Sequence, residues 1–268
     1  MSQKILVGMS GGVDSTVAAY LLKEQGYDVI GVTMEMWPGE HSAEAITDAR
    51  RVAENIGIPF EVLDFKKEFR ECVVNDFMEQ YQKGLTPNPC IVCNRLVKGQ
   101  ALLDKAHEMG AEHIATGHYA RIEKHPKTGR YAVRNSATAV KDQTYALYRL
   151  TQEQLQAMLL PIGDYAKDEV REIAEKIDGF VAKKGDSQDI CFIPDGDYVS
   201  FIRSVDKSGE GFQRGNFVDA SGNILGKQKS HSGRRTGRDR NLILKFHYIF
   251  LQSNNTPIGK FLSVARRV

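Results

Sequence analysis

A glycine-rich turn between an apolar run and a helix-like run constrains this chain more than any other feature. The turn comprises Gly8, Met9, Ser10, Gly11, Gly12, Val13, Asp14 and Ser15. It follows the apolar residues 5–7 and precedes an amphipathic stretch around residues 16–23, a pattern that predicts a strand, a turn and a helix start. Because the first N–H groups of a helix lack intrahelical partners, such a turn attracts an anion.

The residue types in the turn indicate which anion binds. Gly11 and Gly12 allow close backbone approach, and Ser10 and Ser15 offer hydroxyl donors. Asp14 would repel a phosphate unless Mg²⁺ lay between the two groups. The string matches neither G-x-x-x-x-G-K-[ST] nor G-x-G-x-x-G, so the usual motifs do not apply. We expect a nucleotide phosphate with its metal, although a plain turn with a Ser/Asp cap would also fit.

Strand-like and helix-like segments alternate through the first half of the chain. The strand candidates are residues 5–9, 29–34, 60–63 and 113–116, and the helix candidates are residues 16–23, 42–55, 67–82 and 97–109. This alternation predicts an α/β fold in which a parallel sheet carries helices on both faces. Ligands of such sheets bind at the carboxyl ends of strands, where the glycine-rich turn lies.

Later segments give weaker patterns. Residues 153–176 read as a helical pair or small helical subdomain interrupted at residues 160–163, and residues 217–226 read as a hairpin.

Two further strand ends carry candidate ligand contacts. Met34 could line an adenine pocket, or it could be an ordinary core side chain. Gly117 would permit close approach of a nucleotide, and His118 could donate to a phosphate or to RNA. A turn with a structurally satisfied histidine is the alternative.

The chain has no basic-then-apolar leader and no apolar run of membrane-spanning length, so we expect a cytoplasmic protein without a membrane partner. Four cysteines in 268 residues are too few for a disulfide framework. Cys72 lies in a helical pattern and is expected to be a core thiol, whereas Cys191 follows a polar loop.

Cys90 and Cys93 form a C-x-x-C pair where a loop is predicted to enter a helix near Asn94. A helix start, together with Arg95 and Lys98, would stabilise a thiolate, so we predict a lowered pKa and a nucleophilic role for Cys93. A structural zinc site would need two more ligands of matching spacing, which the sequence does not offer.

Five ordered motifs then carry a resemblance over about residues 3–226. They are S-G-G-V-D-S, T-P-N-P-C-I-V-C-N-R, A-T-G-H-Y-A, K-D-Q-T-Y-A-L-Y and D-S-Q-D-I-C-F-I-P-D-G-D-Y. The first resembles the loop of the ATP pyrophosphatases, and the set resembles the tRNA 2-thiouridylases of the MnmA type. The resemblance implies an N-type ATP pyrophosphatase (adenine nucleotide alpha hydrolase) domain, a small helical and β-containing tRNA-binding domain, and a final β-barrel.

The resemblance also implies an activity and its residues. The reaction would be ATP-dependent 2-thiolation of the wobble uridine in glutamine, glutamate and lysine tRNAs. Residues 8–15 would bind ATP, with Met34 and Gly117 at the adenosine. Cys93 would be the nucleophile and Cys191 the persulfide carrier. The remaining implied contacts are Asn88, Pro89 and Cys90 at the target base, and His118, Lys141, Asp142 and Gln143 at the tRNA.

Several partners and alternatives follow from this chemistry. The base would stack on His118 or Tyr145, although a core position is favoured for Tyr145. Phosphate contacts with tRNA are expected from Arg95, Lys98, Lys141, Arg149, Lys183 and Lys184. The reaction would need a persulfide donor, either a cysteine desulfurase or a sulfur relay protein, and a reductant. A 4Fe-4S thiolase ligated by Cys90, Cys93 and Cys191 and an inactive tRNA-binding remnant remain alternatives. The loop alone would also allow a different pyrophosphatase-type ligase.

Charge changes abruptly near the end of the sequence. Residues 227–268 contain ten Lys or Arg against one Asp, a net charge of +9, which leaves −7 for residues 1–226 in a chain of net charge +2. We predict a catalytic domain at 1–156, to which 181–198 return, a tRNA-binding region at 157–226 and a divergent tail at 227–268. The expected reason is a truncated or frame-shifted end that lacks the barrel, with a functional basic arm as the alternative.

Overall fold

The computed structural model describes residues 2–83, 85–185, 190–206, 215–218 and 223–228. The chain divides into two compact units. The first comprises Met1–Glu79 and Pro87–Pro194, and the second comprises Gln80–Thr86 and Asp195–Val268. The first unit contains the main sheet and every predicted site residue.

A five-stranded parallel sheet forms the centre of the first unit. Its strands are β1 (Lys4–Gly8), β2 (Asp28–Glu35), β3 (Phe60–Asp64), β4 (His113–Ala115) and β7 (Met158–Leu159), in the order β3-β2-β1-β4-β7. Parallel pairing sets Leu6 opposite Ile30 and Ile114, so β1 is the central strand. The four predicted strands and the α/β fold class are confirmed.

The burial of β1 agrees with its central position in the sheet. Ile5, Leu6 and Val7 are all fully buried, as expected of a parallel strand covered on both faces. Alternation along β1 directs Ile5 and Val7 into a core built with α1 (Val13–Glu24), α2 (Glu40–Ile56) and α8 (Lys167–Ile177), whereas Leu6 faces the opposite side.

The remaining helices continue the alternation. They are α3 (Lys66–Phe69), α4 (Asn75–Gln82), α5 (Pro89–Leu96), α6 (Leu102–Glu108), α7 (Gln152–Ala157) and α9 (Gly179–Ala182), with π-helical turns at Arg70–Val74 and Val97–Ala101 and 3₁₀ turns at Ala139–Lys141 and Thr144–Ala146. The predicted helices at 67–82 and 97–109 are each confirmed as a helical run that contains a π-helical turn.

Two features of the first unit differ from the sequence analysis. The helical pair expected around the interruption at 160–163 does not form a subdomain, because Met158–Leu159 joins the sheet beside β4 and α8 packs on α1. An antiparallel hairpin of β5 (Ala120–Lys124) and β6 (Tyr131–Asn135), which the sequence analysis missed, follows the turn at Gly117.

The second unit contains α10 (Tyr198–Val205) and a hairpin of β8 (Gly215–Val218) and β9 (Ile224–Gln228). The Asp197 side chain caps α10 by accepting a hydrogen bond from the Ser200 N–H at 3.1 Å. The predicted hairpin is confirmed, although its turn at 219–222 lies outside the described residues, as does nearly all of the basic tail. The truncation prediction therefore remains a prediction.

Among the described residues, no helix combines the length and the apolar composition needed to cross a membrane.

Candidate active site

The glycine-rich turn folds back on the start of α1 through its two serines. The Ser10 N–H donates to Ser15 Oγ at 3.1 Å, and the two hydroxyl oxygens lie 3.3 Å apart. Ser15 Oγ also donates to the Gly12 carbonyl oxygen at 3.2 Å. The first N–H groups of α1 therefore face a turn whose only charged side chain is Asp14.

Protein neighbours alone require a glycine at position 11. Its φ of +69° lies in the left-handed region, and a Cβ would sit 2.5 Å from the Ala45 carbonyl oxygen of α2. The side chains of Met9 and Val13 are buried, 2% and 4% exposed. These two predicted ATP contacts can therefore offer only backbone groups to a ligand.

The turn after β4 packs against the same loop. A Cβ on Gly117 would lie 2.6 Å from the Asp14 carbonyl carbon and 2.7 Å from the Ser15 nitrogen. Met34 also reaches this edge of the sheet, with its Cε 3.2 Å from where a Gly8 Cβ would be. The structure thus brings together the loop, Met34 and Gly117, which the sequence analysis assigned to one nucleotide.

The Asp14 carboxylate has two partners that the sequence analysis missed. Its Oδ1 accepts hydrogen bonds from the Tyr119 hydroxyl at 2.8 Å and from Lys167 Nζ at 2.7 Å. Lys167 is the first residue of α8 and only 13% of its side chain is exposed. A largely buried ammonium therefore lies at the glycine-rich turn, where it can meet phosphate oxygens.

Lys184 supplies a second ammonium. Its Nζ donates to the Gly11 carbonyl oxygen at 3.2 Å and pairs with the Asp48 carboxylate of α2. We expected Lys184 to contact tRNA phosphates, but the structure holds it against the glycine-rich turn.

The C-x-x-C pair lies inside a helix, not before one. Asn88 caps α5 by accepting from the Cys90 N–H at 3.2 Å, and Pro89 is its first residue. Cys90 is exposed near this start, whereas Cys93 is one turn further along and 6% exposed. The predicted lowering of the Cys93 pKa is wrong, because burial raises that pKa to about 12.

The positive charge of Lys98 acts on two members of the cysteine cluster, which comprises Cys90, Cys93 and Cys191. It opposes the effect of burial on the pKa of Cys93, while Cys191 and Cys90 add to the rise. Burial also raises the pKa of the Cys191 thiol, against the effect of the same lysine, although the residue is exposed at the surface. The cysteine cluster and Lys98 thus form a group in which the neighbouring charges act on Cys93 and Cys191.

This group does not fit an iron–sulfur cluster. Among the described residues, which include all four cysteines, no three His, Cys, Asp or Glu side chains lie close enough to hold a metal ion. Mg²⁺ is a different case, since one carboxylate together with nucleotide phosphates commonly holds it. Asp14 can supply that carboxylate.

His118 is neutral near pH 7. Its Nδ1 lies 2.8 Å from Thr116 Oγ1, and burial together with the Lys98 charge lowers its pKa to about 3. The ring can exchange one hydrogen bond with a base or a phosphate, but it does not offer a positive charge.

The segment predicted to contact tRNA is anchored to the Gly117 turn. Gln143 Oε1 accepts a hydrogen bond from the Tyr119 N–H at 2.9 Å. The Asp142 carboxylate accepts from the Ser136 N–H at 2.8 Å and from the Thr144 hydroxyl at 2.9 Å. Lys141 is partly exposed on the same segment. Asp142 and Gln143 therefore hold the segment in place.

Tyr145 does not occupy the core position that we expected. It is 61% exposed, and Tyr148 is 67% exposed, because Ala146 and Leu147 take the inward positions. Two aromatic rings are thus available beside the anchored segment for stacking on an unpaired base.

Comparisons with known proteins show the family to which the chain belongs. A family model described as the tRNA methyl transferase HUP domain matches residues 3–195. A tRNA-specific 2-thiouridylase of Clostridioides difficile is 51% identical over 255 residues, which cover 92% of this chain and 70% of the relative. Another from Lachnoclostridium phytofermentans is 56% identical, covering 85% of this chain and 66% of the relative.

Among solved structures, a 4-thiouridine synthetase in complex with RNA and bound ATP matches with a TM-score of 0.50 at 20% identity, covering 72% of this chain and 45% of that one. At this identity the match shows the fold alone. The HUP-domain family model over residues 3–195, together with the sheet and its glycine-rich turn, places the first unit in the class of HUP-domain, ATP pyrophosphatase-like proteins. Within that class, the chain belongs to the family of tRNA-specific 2-thiouridylases.

Replacing Gly117 by alanine should weaken ATP binding. The added Cβ would overlap the Asp14 and Ser15 backbone and displace the glycine-rich turn. Overpacking of this kind typically costs about 1–3 kcal/mol, which corresponds to about five- to 150-fold in affinity where the displaced turn is the binding site. Calorimetric titration with ATP and Mg²⁺ measures the change. The matched control is Gly185→Ala, where a Cβ meets nothing within 4 Å, and it should bind like wild type. Equal affinity in both variants would contradict the placement of Gly117.

Alkylation of Cys93 should rise with pH without a plateau below pH 10. A thiol with a pKa of about 12 is protonated below that pH, so its thiolate fraction grows about tenfold per pH unit. Mass spectrometry after iodoacetamide treatment separates Cys93 from the exposed Cys90. Lys98→Met should slow Cys93 further at each pH, whereas Lys98→Arg should not. A plateau near pH 8 would contradict the buried thiol.

Proposed function

We propose that this chain carries out ATP-dependent 2-thiolation of the wobble uridine in tRNA through a relay between Cys191 and Cys93. One observation carries the proposal: the glycine-rich turn, the Gly117 turn and the segment held by Gln143 are joined by short contacts within one unit that also holds the cysteine cluster. Such a site can activate a base and deliver sulfur to it without moving the base between domains.

Adenylation is the first step. The uridine carbonyl oxygen attacks the α-phosphorus of ATP and pyrophosphate leaves, which converts a poor leaving group into AMP. The N–H groups at the start of α1, with Lys167 and Lys184, would stabilise the charge that develops on the phosphates. Mg²⁺ held by Asp14 would neutralise part of the same charge.

Sulfur transfer is the second step. A persulfide donor leaves one extra sulfur on Cys191. The Cys93 thiolate attacks Cys191 Sγ, the sulfur–sulfur bond breaks, and hydrosulfide leaves as a Cys93–Cys191 disulfide forms. The hydrosulfide attacks carbon 2 of the adenylated base, and AMP departs. A reductant then supplies two electrons to restore both thiols.

The raised Cys93 pKa lowers the fraction of thiolate that is available for this step. At neutral pH the buried thiol is protonated and does not attack a persulfide. The Lys98 ammonium favours the thiolate, whereas a negative phosphate close by would raise the Cys93 pKa further. We therefore expect Lys98 to set how readily Cys93 attacks the persulfide.

The tRNA-facing surface follows from the same geometry. Asn88 and Cys90 are exposed at the start of α5, with Pro89 buried between them, and we infer that a flipped uridine reaches the cysteines and the nucleotide there. Tyr145 and His118 are the stacking candidates, and Lys141 and Arg149 are the phosphate contacts. The donor, the reductant and a cytoplasmic location remain predictions.

Retardation of tRNA on a mercury gel tests the proposal. Incubation with ATP, Mg²⁺, a persulfide donor, a reductant and tRNA should give 2-thiouridine with wild type and none with Cys93→Ala or Cys191→Ala. Cys72→Ala is the matched control, since Cys72 lies outside the cysteine cluster, and it should give wild-type product.

Two results would contradict the relay. Product that requires a stoichiometric iron–sulfur cluster and is lost in Cys90→Ser would support the cluster mechanism. No product from wild type, with tRNA binding retained, would identify an inactive tRNA-binding protein.

A further inference from the structure

The residues that follow β2 contact Cys93 directly and reach Cys191 through its neighbour Phe192. The segment after β2 contains Met36 and Trp37. Met36 Sδ lies 3.9 Å from Cys93 Sγ, and the Trp37 ring centroid lies 5.9 Å from that of Phe192, the residue next to Cys191. Consecutive residues thus contact the Cys93 thiol and the neighbour of the Cys191 thiol.

Phe192 is the centre of an aromatic anchor, which we define as Trp37, Phe69, Phe77 and Phe192. Its centroid lies 5.5 Å from Phe69 and 5.4 Å from Phe77, with ring planes at 77° and 86°. These are the edge-to-face geometries that aromatic pairs prefer. Phe192 is 3% exposed and Ile193 is 1% exposed, whereas Cys191 is exposed, so the chain turns inward directly after the thiol.

The strand end also reaches the nucleotide-binding edge. Met34 lies on β2 two residues before Met36, and its Cε is 3.2 Å from the position of a Gly8 Cβ. One short stretch of backbone therefore borders the glycine-rich turn, the Cys93 thiol and the aromatic anchor.

We propose that Trp37 and Phe192 are positioning residues for the Cys93–Cys191 pair. This inference rests on the proposed relay and extends it to residues outside the reacting atoms. A disulfide forms only when the two sulfur atoms and the two Cα atoms lie within narrow distance ranges. An exposed thiol on a loop loses conformational entropy when it is held at those distances. The anchor removes that cost by fixing the Cys191 backbone, while Met36 fixes the thiol of Cys93 from the same segment.

The glutathione redox equilibrium measures this effect directly. Oxidised glutathione accepts two electrons from the Cys93 and Cys191 thiols, giving one protein disulfide and two molecules of glutathione. The equilibrium constant reports how readily the two sulfurs meet. Trp37→Ala and Phe192→Ala should lower it about tenfold, since each removes ring contacts that order the pair. Trp37→Phe and Phe192→Leu should stay within about threefold of wild type.

A matched core variant separates positioning from general destabilisation. Ile56→Ala removes a buried side chain at the end of α2, away from the anchor, and should lower thermal stability without changing the redox constant. ATP affinity should be the same in wild type and in all these variants. If Ile56→Ala lowered the redox constant as much as Phe192→Ala does, the positioning role would be overturned.

Trp37 gives a second readout that needs no variant of the anchor. It is the one tryptophan in the 268 residues, so tryptophan fluorescence emission reports only on the surroundings of Trp37. Closing the disulfide should change Trp37 emission in wild type but not in Cys191→Ser. Unchanged emission on closure would overturn the contact between the anchor and the pair.

Different results would contradict the relay and the positioning role. If wild type forms the Cys93–Cys191 disulfide and the alanine variants form it equally well, only the positioning role is wrong. If wild type never forms it at any glutathione ratio, the relay itself is wrong and the positioning role falls with it.

Discussion

The close approach of the Gly117 turn to the start of α1 is the constraint on which the site depends. Backbone meets backbone there, because a Cβ on Gly117 would lie within 2.7 Å of Asp14 and Ser15 atoms. That contact leaves Tyr119 in reach of the Asp14 carboxylate and brings the segment held by Gln143 to the nucleotide edge. A phosphate-binding turn is common to many enzymes. In this chain the turn is joined to the segment that we propose contacts tRNA.

Burial determines the protonation of Cys93 and His118 in the site. The same packing that excludes water around Cys93 raises its thiol pKa to about 12 and keeps His118 neutral. A dry site strengthens the interaction of Lys98 and Lys167 with negative groups, because the local dielectric is low. Cys93 and Cys191 therefore both have raised pKa values, and the charge of Lys98 opposes this rise in each of them.

The sequence predicted the fold well where apolar runs were long enough to carry a pattern. The four strand candidates at 5–9, 29–34, 60–63 and 113–116 are all strands, whereas Met158–Leu159 has two residues and leaves no periodicity. The glycine-rich turn was recognisable because its geometry is local. Lys167 was not, since tertiary packing brings it to Asp14 from 153 residues away.

A small error in the predicted start of α5 gave the wrong direction for the shift in the Cys93 pKa. Placing the helix start near Asn94 put Cys93 at a positive helix end, but α5 begins at Pro89. Asn88 as the cap and Pro89 as the first residue were readable signals of that start. Burial could not be read from four cysteines in a sequence, because it depends on how neighbouring elements pack over Cys93.

The central claim is that one Cys93–Cys191 disulfide forms for each thiolated base. A single turnover tests it most directly: enzyme carrying a Cys191 persulfide is mixed with ATP, Mg²⁺ and tRNA without reductant, and both products are counted by mass spectrometry. The account predicts equal amounts of 2-thiouridine and of the Cys93–Cys191 disulfide. Thiouridine formed while both cysteines remain unlinked would contradict it.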